Sequence, residues 1–124
     1  MTALLDTHAL LWWLTDDKRL SRRARSEIEA GDILVSVVSA WEIEIKRGLG
    51  RIDADTHAIL AEVTSTDGFA WLEIRPSHVA ALVDLPDVHR DPFDRMLVAQ
   101  AAQEHVALIT RDATVRRYPV EMVW

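Results

Sequence analysis

Four acids far apart in the chain, Asp6, Glu42, Asp94 and Asp112, carry the chemistry worth following. Gathered together, carboxylates repel one another and lose hydration, so some hold protons unless a cation stands among them. The cation suited to oxygen-only donors is hard and divalent. Mg²⁺ in particular is held by one or two carboxylates, with water and substrate phosphate completing its shell. Such a site activates water and stabilises charge developing on a phosphodiester. Each acid also has a plainer role. Asp6 can cap a helix, Glu42 can pair with Lys46 one helical turn on, and Asp112 can start a turn.

The stretch HRDPFDRM, residues 89–96, separates two such roles. Asp91 precedes Pro92, which places it as a helix N-cap with proline at the first helical position. Asp94 then sits at the third helical position, where the helix dipole favours a carboxylate. It also shares a stripe with Leu97, Val98 and Ala101. A carboxylate at the head of a buried stripe is not merely solvated, so Asp91 reads as the cap and Asp94 as the group that points inward.

The elements that must position these acids follow from the hydrophobic pattern. Short apolar runs at Ala3–Leu5, Ile33–Val35 and Ala107–Ile109 suit strands buried on both faces. Ala70–Ile74 is a fourth candidate, and a weak fifth lies near Val120–Val123. Helices fill the gaps. One runs from an Asp6 or Thr7 cap to about Leu14, and one from Ser21 to Ala30, stopped by Gly31. Ser39 is placed to cap a helix over Ala40–Arg47, ended by Gly48 or Gly50. Further helices are expected at Thr56–Thr64, Ser77–Val83 and Pro92–His105. The alternation of strands and helices predicts an α/β fold, a three-layer α/β/α sandwich around a mainly parallel sheet. In such sheets functional groups gather outside the carboxyl ends of the strands. Asp6, Glu42, Asp94 and Asp112 are all aimed at that edge.

Composition sets the outer limits. At 124 residues, 49% apolar and 27% charged, the chain suits one globular domain spanning residues 1–124. It has no cysteine, which excludes disulfides, thiolate metal sites and a cysteine nucleophile. The opening residues lack a basic segment and Asp6 breaks their apolar run, so no secretory leader is expected. No apolar stretch approaches the roughly 18 residues of a membrane span. A net charge of −6 argues against a passive nucleic-acid binder. Basic clusters at Lys18–Arg25, Lys46–Arg51 and Arg116–Arg117 are either phosphate-attracting patches or solvated helix faces.

The stretches LLDTHALLWWL (4–14), SVVSAWEIEIK (36–46), HRDPFDRMLVAQA (89–101) and LITRD (108–112), in this order, resemble the PIN-domain ribonucleases. More narrowly they resemble the VapC toxins of bacterial type II toxin–antitoxin systems. The resemblance implies an Mg²⁺- or Mn²⁺-dependent endoribonuclease that cuts RNA, expected in a tRNA or rRNA loop. Position by position it makes Asp6 and Asp94 core metal ligands, Glu42 the acid on the helix after the second strand, and Asp112 the fourth acid. Thr7, Thr110, Arg95 and Arg111 become candidate substrate contacts. Asp91 and Ser39 are candidates for helix capping or for supporting the ligands. It also implies a homodimer, a cognate antitoxin that blocks the acidic groove, operon DNA reached only through that antitoxin, and a bacterial cytoplasmic location.

Two other classes compete. A catalytically silent PIN-like protein would bind a partner without turnover. A receiver-like Mg²⁺-binding regulatory module has a similar size and sheet, but calls for paired acids after the first strand, an acceptor Asp after a middle strand and a late Lys. Here the first strand ends in Asp6 alone, the Ile33 run ends in Ser36, and Thr110-Arg111 stands where the Lys is wanted. The five histidines show no metal-ligand spacing and read as structural or surface residues, with His8 and His89 flanking the proposed site. Trp12 and Trp13 point to different surroundings, either two parts of the core or one exposed partner interface. Trp41, Trp71 and Trp124 read as packing residues.

Overall fold

The computed structural model describes residues 1–124. Five strands form one sheet, parallel throughout: β1 (Ala3–Leu5), β2 (Ile33–Ser36), β3 (Phe69–Leu72), β4 (Ala107–Ile109) and β5 (Met122–Val123). Their spatial order is β3-β2-β1-β4-β5. The chain therefore builds outward from β1 in one direction, then returns to the other side of β1 to add β4 and β5. The sheet reverses between β1 and β4, where Leu5 pairs with Ile109. This order differs from the 2-1-3-4-5 order of receiver-type sheets, which removes that alternative.

Six helices cover the sheet: α1 (Thr7–Leu14), α2 (Arg22–Glu29), α3 (Val37–Gly48), α4 (Thr56–Ser65), α5 (Pro76–Val83) and α6 (Pro92–Glu104). The two-residue period of the strands divides the core in two. Ala3, Leu5, Ile33, Val35, Ala107 and Ile109 face one way, against Ala9, Leu10, Ala24, Ile28, Ile43 and Val63 from the first four helices. Leu4, Leu72 and Leu108 face the other way, against Leu97, Val98, Ala101 and Tyr118. Both layers of the predicted sandwich are thus present. Leu4, Leu5, Leu108 and Ile109 are fully buried, each contributing about 1.5–3 kcal/mol of transfer free energy.

Local chemistry sets the helix starts. Asp6, Ser21, Asp55 and Asp91 cap α1, α2, α4 and α6 as their side chains accept from backbone N–H groups of the first turn. For α3 the cap is Ser36, not Ser39: the Ser36 hydroxyl accepts from the Val38 N–H at 3.0 Å. The helix starts three residues earlier than its sequence suggests because β2 runs straight into it without a loop. Ser39 lies fully buried inside the first turn. The N-termini of α1 and α3 follow β1 and β2 directly, while α6 runs back from the same edge to β4. Three positive helix ends are therefore directed at one edge of the sheet.

Trp41 departs from its expected packing role. It is 58% exposed on α3, with Phe93 against it edge-on at 5.1 Å between ring centroids. Of the adjacent pair, Trp12 is buried and Trp13 half-buried.

Candidate functional site

The site sits at the carboxyl edge of the sheet, at the β1/β4 reversal, where open α/β sheets bind ligands. Asp6 leaves the end of β1 and is almost buried. Its Oδ1 accepts from the Ala9 N–H at 2.8 Å, so it does cap α1 as well as face the site. Burial raises its pKa to about 6, opposed by hydrogen bonds from Thr110 and Ala9, and reinforced by the charges of Asp112 and Glu42. Thr110, fully buried at the end of β4, supplies the hydroxyl between Asp6 and the backbone N–H of Asp112.

Asp94 enters from α6. Asp91 accepts from the backbone N–H groups of Phe93 and Asp94 at 2.9 and 3.0 Å. With Asp91 filling the cap, the Asp94 carboxylate has no such task and turns toward the site. Burial raises its pKa to about 6 as well, opposed by a hydrogen bond from His89, and reinforced by the nearby charges of Asp91, Glu42 and Asp112.

Glu42 is 3% exposed, and α3 carries it inward. The Thr7 hydroxyl donates to its Oε1 at 2.6 Å, and Lys46 Nζ donates to its Oε2 at 2.5 Å. The helical pairing with Lys46 is therefore real, and it coexists with a buried place beside Asp6 and Asp94. Thr7 has one hydrogen, committed to Glu42, so Ser39 Oγ at 3.1 Å is the donor to Thr7. Ser39 thus braces the group that braces Glu42. Asp112 is exposed, and its Oδ1 accepts from the N–H groups of Thr114 and Val115 at 2.8 and 3.0 Å. It begins the 3₁₀ turn Val115–Arg117 while its charge reaches both Asp6 and Asp94.

Glu42 and Asp112 thus lie within electrostatic reach of both Asp6 and Asp94. Lys46 is the one cation paired with any of them. No three of the carboxylates and imidazoles converge into a ready-made metal cage. The donor set nevertheless fits a hard divalent cation. It offers carboxylate and hydroxyl oxygens without thiolates, two of the acids are held protonation-prone by burial, and such ions take few protein ligands.

The arginines make contacts of their own. Arg95 Nη1 donates to Pro86 O at 3.1 Å and to the Tyr118 hydroxyl at 3.0 Å. Arg111 lies over the Trp12 ring at 4.8 Å from its centroid. The residue the sequence did not reveal is Tyr118. It lies 24 positions past Asp94 on another element, and only the fold brings its hydroxyl to His89.

A sheet of this order with acids at its reversal belongs to a known class. The family model described as the PIN domain matches residues 3–121, and the chain belongs to that family. Among individual proteins, it is 33% identical to Ribonuclease VapC22 of Mycobacterium tuberculosis over 124 residues, covering 94% of this chain and 92% of that protein. Among solved structures, it resembles a chain of VapBC2 from Rickettsia felis bound to a promoter DNA fragment, with TM-score 0.71 and 13% identity over 98% of this chain and 97% of that one. A chain of FitAcB from Neisseria gonorrhoeae gives TM-score 0.63 and 17% identity over 97% and 95% of the two chains.

Proposed function

We propose that the chain is an Mg²⁺- or Mn²⁺-dependent endoribonuclease, the toxin of a bacterial toxin–antitoxin pair. One observation carries the reading: at the carboxyl edge of the sheet, by three helix N-termini, Glu42 and Asp112 both act on Asp6 and on Asp94, with a single paired lysine among the four. The name of the similar mycobacterial protein and the toxin–antitoxin character of the similar complexes support it.

Asp6 and Asp94 would hold the cation, with Glu42 and Asp112 beside them. When bound there, a divalent cation supplies activation of water and stabilisation of phosphate charge. The chain's own residues position and move protons. Thr110 orients Asp6, and Thr7, supported by Ser39, fixes Glu42. Asp112, the most open of the four acids, is placed to accept a proton from attacking water. Of the candidate substrate contacts, exposed Arg111 is the one we assign to the RNA backbone, whereas Thr7 and Thr110 are buried behind the acids and Arg95 is held by Pro86 and Tyr118. An unpaired RNA loop suits such a site, because its bases and backbone are more accessible than those of a duplex.

A cognate antitoxin is the expected partner. The groove between α1, α2 and α4, about 780 Å³ and lined by Leu11, Trp13, Leu14 and Ile59, is the proposed seat for its apolar segment. Operon DNA would be reached only through that antitoxin. We place the pair in the bacterial cytoplasm, with the toxin as a homodimer. No helix is long and apolar enough to cross a membrane.

The test incubates the purified chain with total and transfer RNA in Mg²⁺, in Mn²⁺ and in EDTA, beside Asp94→Asn. Discrete fragments are expected with either metal, and none with EDTA or in the variant. Equal cleavage by both proteins would overturn the assignment of Asp94. No cleavage by either, with no Mg²⁺ binding by calorimetry, would favour a silent binding protein.

A further inference from the structure

We propose that His89, Tyr118 and Arg95 form a hydrogen-bonded relay that holds the Asp94 carboxylate in its metal-binding orientation. The proposal rests on Asp94 being a ligand and assigns three positioning residues behind it.

The relay is continuous. His89 Nε2 lies 3.2 Å from Asp94 Oδ2, His89 Nδ1 lies 2.8 Å from the Tyr118 hydroxyl, and Arg95 Nη1 lies 3.0 Å from that hydroxyl. Hydrogen counting gives it a direction. An ionised carboxylate only accepts, so Nε2 carries the hydrogen facing Asp94. In the neutral imidazole Nδ1 must then accept, and the Tyr118 hydroxyl supplies its single hydrogen. The Tyr118 oxygen is left to accept, and the guanidinium, which only donates, completes it. Every hydrogen has one place to go, from Arg95 through Tyr118 and His89 to Asp94.

The surroundings make this arrangement rigid. The Tyr118 ring is 3% exposed and packed in the Leu97/Leu108 core, so the hydroxyl is held by the body of the protein. Arg95 is also tied to the Pro86 carbonyl at 3.1 Å. That anchors the segment before α6 to the helix itself. His89 is the one side chain that hydrogen-bonds Asp94, and it engages Oδ2. Oδ1 is therefore left for a ligand.

The relay also keeps a cation off the carboxylate. Arg95 follows Asp94 directly, and neighbours in a helix point apart. Tyr118 and Pro86 hold the guanidinium there, and two neutral groups stand between it and Asp94. Such outer groups fix ligand orientation, and their loss typically costs 10- to 100-fold in metal affinity or activity.

The experiment measures Mn²⁺ affinity by calorimetry without RNA, with thermal melting alongside. Tyr118→Phe keeps the buried ring and removes the hydroxyl. We expect its Mn²⁺ affinity to fall about tenfold with its melting temperature little changed. His89→Leu is expected to lose at least as much. His89→Gln places an amide N–H near the former Nε2 and is expected to recover most of the loss. Wild-type affinity in both Tyr118→Phe and His89→Leu overturns the relay, as does a His89→Gln variant as weak as His89→Leu. Asp94→Asn separates the two levels. If it abolishes binding while Tyr118→Phe and His89→Leu bind Mn²⁺ like wild type, the relay alone fails. If it binds Mn²⁺ like wild type, the ligand assignment fails and the relay with it.

Discussion

At the residue scale, Asp6 does two jobs that conflict at neutral pH. It caps α1, which favours the charged form, yet it is almost buried, which favours the proton. Burial wins, and its pKa stands near 6 instead of the ordinary 3.8. Between those values the folded chain binds the proton more tightly than the unfolded chain. The stability this contributes is complete below about pH 4 and lost as pH rises through about 6. Asparagine caps a helix equally well and cannot ionise. Asp6→Asn in EDTA is therefore expected to match wild type at pH 4 and to exceed it by about 1–3 kcal/mol at pH 8. Urea denaturation at the two pH values measures this. A variant no more stable at pH 8 would mean that Asp6 is well solvated and carries no stored charge cost.

At the element scale, the amino edge of the sheet, opposite the site, depends on how closely neighbouring segments approach. The turn after α2 and the turn before β3 touch at Gly31 and Gly68, with φ of +72° and +84°. A Cβ on Gly68 would lie 2.8 Å from the Gly31 Cα, a clash with backbone that cannot swing away. Gly68→Ala is expected to cost about 2 kcal/mol or more, since it adds left-handed strain to overpacking. Thermal melting reads the loss, and a shift under a few degrees would show that the turns separate easily. This contact was not legible in the sequence, where Gly31 reads only as a helix stop. What the sequence carried well was local. Apolar runs marked β1, β2 and β4, and Asp91-Pro92 marked the start of α6, because each signal is complete within a few residues. The misplaced start of α3 shows the limit: Ser36 and Ser39 are both sound caps, and only the absence of a loop after β2 selects the first. The histidines show it again. His78, fully buried, accepts from the Arg75 N–H and pairs with Glu104 across α5 and α6, a purely structural role. His89 has the same composition-level signature, but a tyrosine from another element directs it at Asp94. Asp6, Asp94 and Asp112 were recognisable because each stands at or near the end of an element, and Glu42 because it lies on the helix that follows β2, whereas the groups that orient them come from wherever the fold delivers a side chain.

At the scale of the whole molecule, a chain of net charge −6 concentrates four acids at the one edge where three helix dipoles can bear them. Despite the dipoles and Lys46, burial, reinforced by the neighbouring carboxylates, holds Asp6 and Asp94 near pKa 6. A divalent cation that binds the folded chain would relieve the rest and stabilise the fold by mass action, about 2.7 kcal/mol at a hundredfold excess over Kd. For a chain of this size that corresponds to a rise of roughly 10 °C in melting temperature. Binding requires both carboxylates to be deprotonated, so the rise is expected at pH 8 and should mostly disappear at pH 5. Asp94→Asn should show little rise at either pH. Sodium chloride at matched ionic strength is the control, because salt screens repulsion between exposed charges without occupying the site. A sodium effect equal to that of Mg²⁺, or an Mg²⁺ effect that does not depend on pH, would assign the stabilisation to general screening. A rise specific to Mg²⁺ or Mn²⁺ that follows the titration of Asp6 and Asp94 would tie the acid cluster to a cation without any appeal to RNA cleavage.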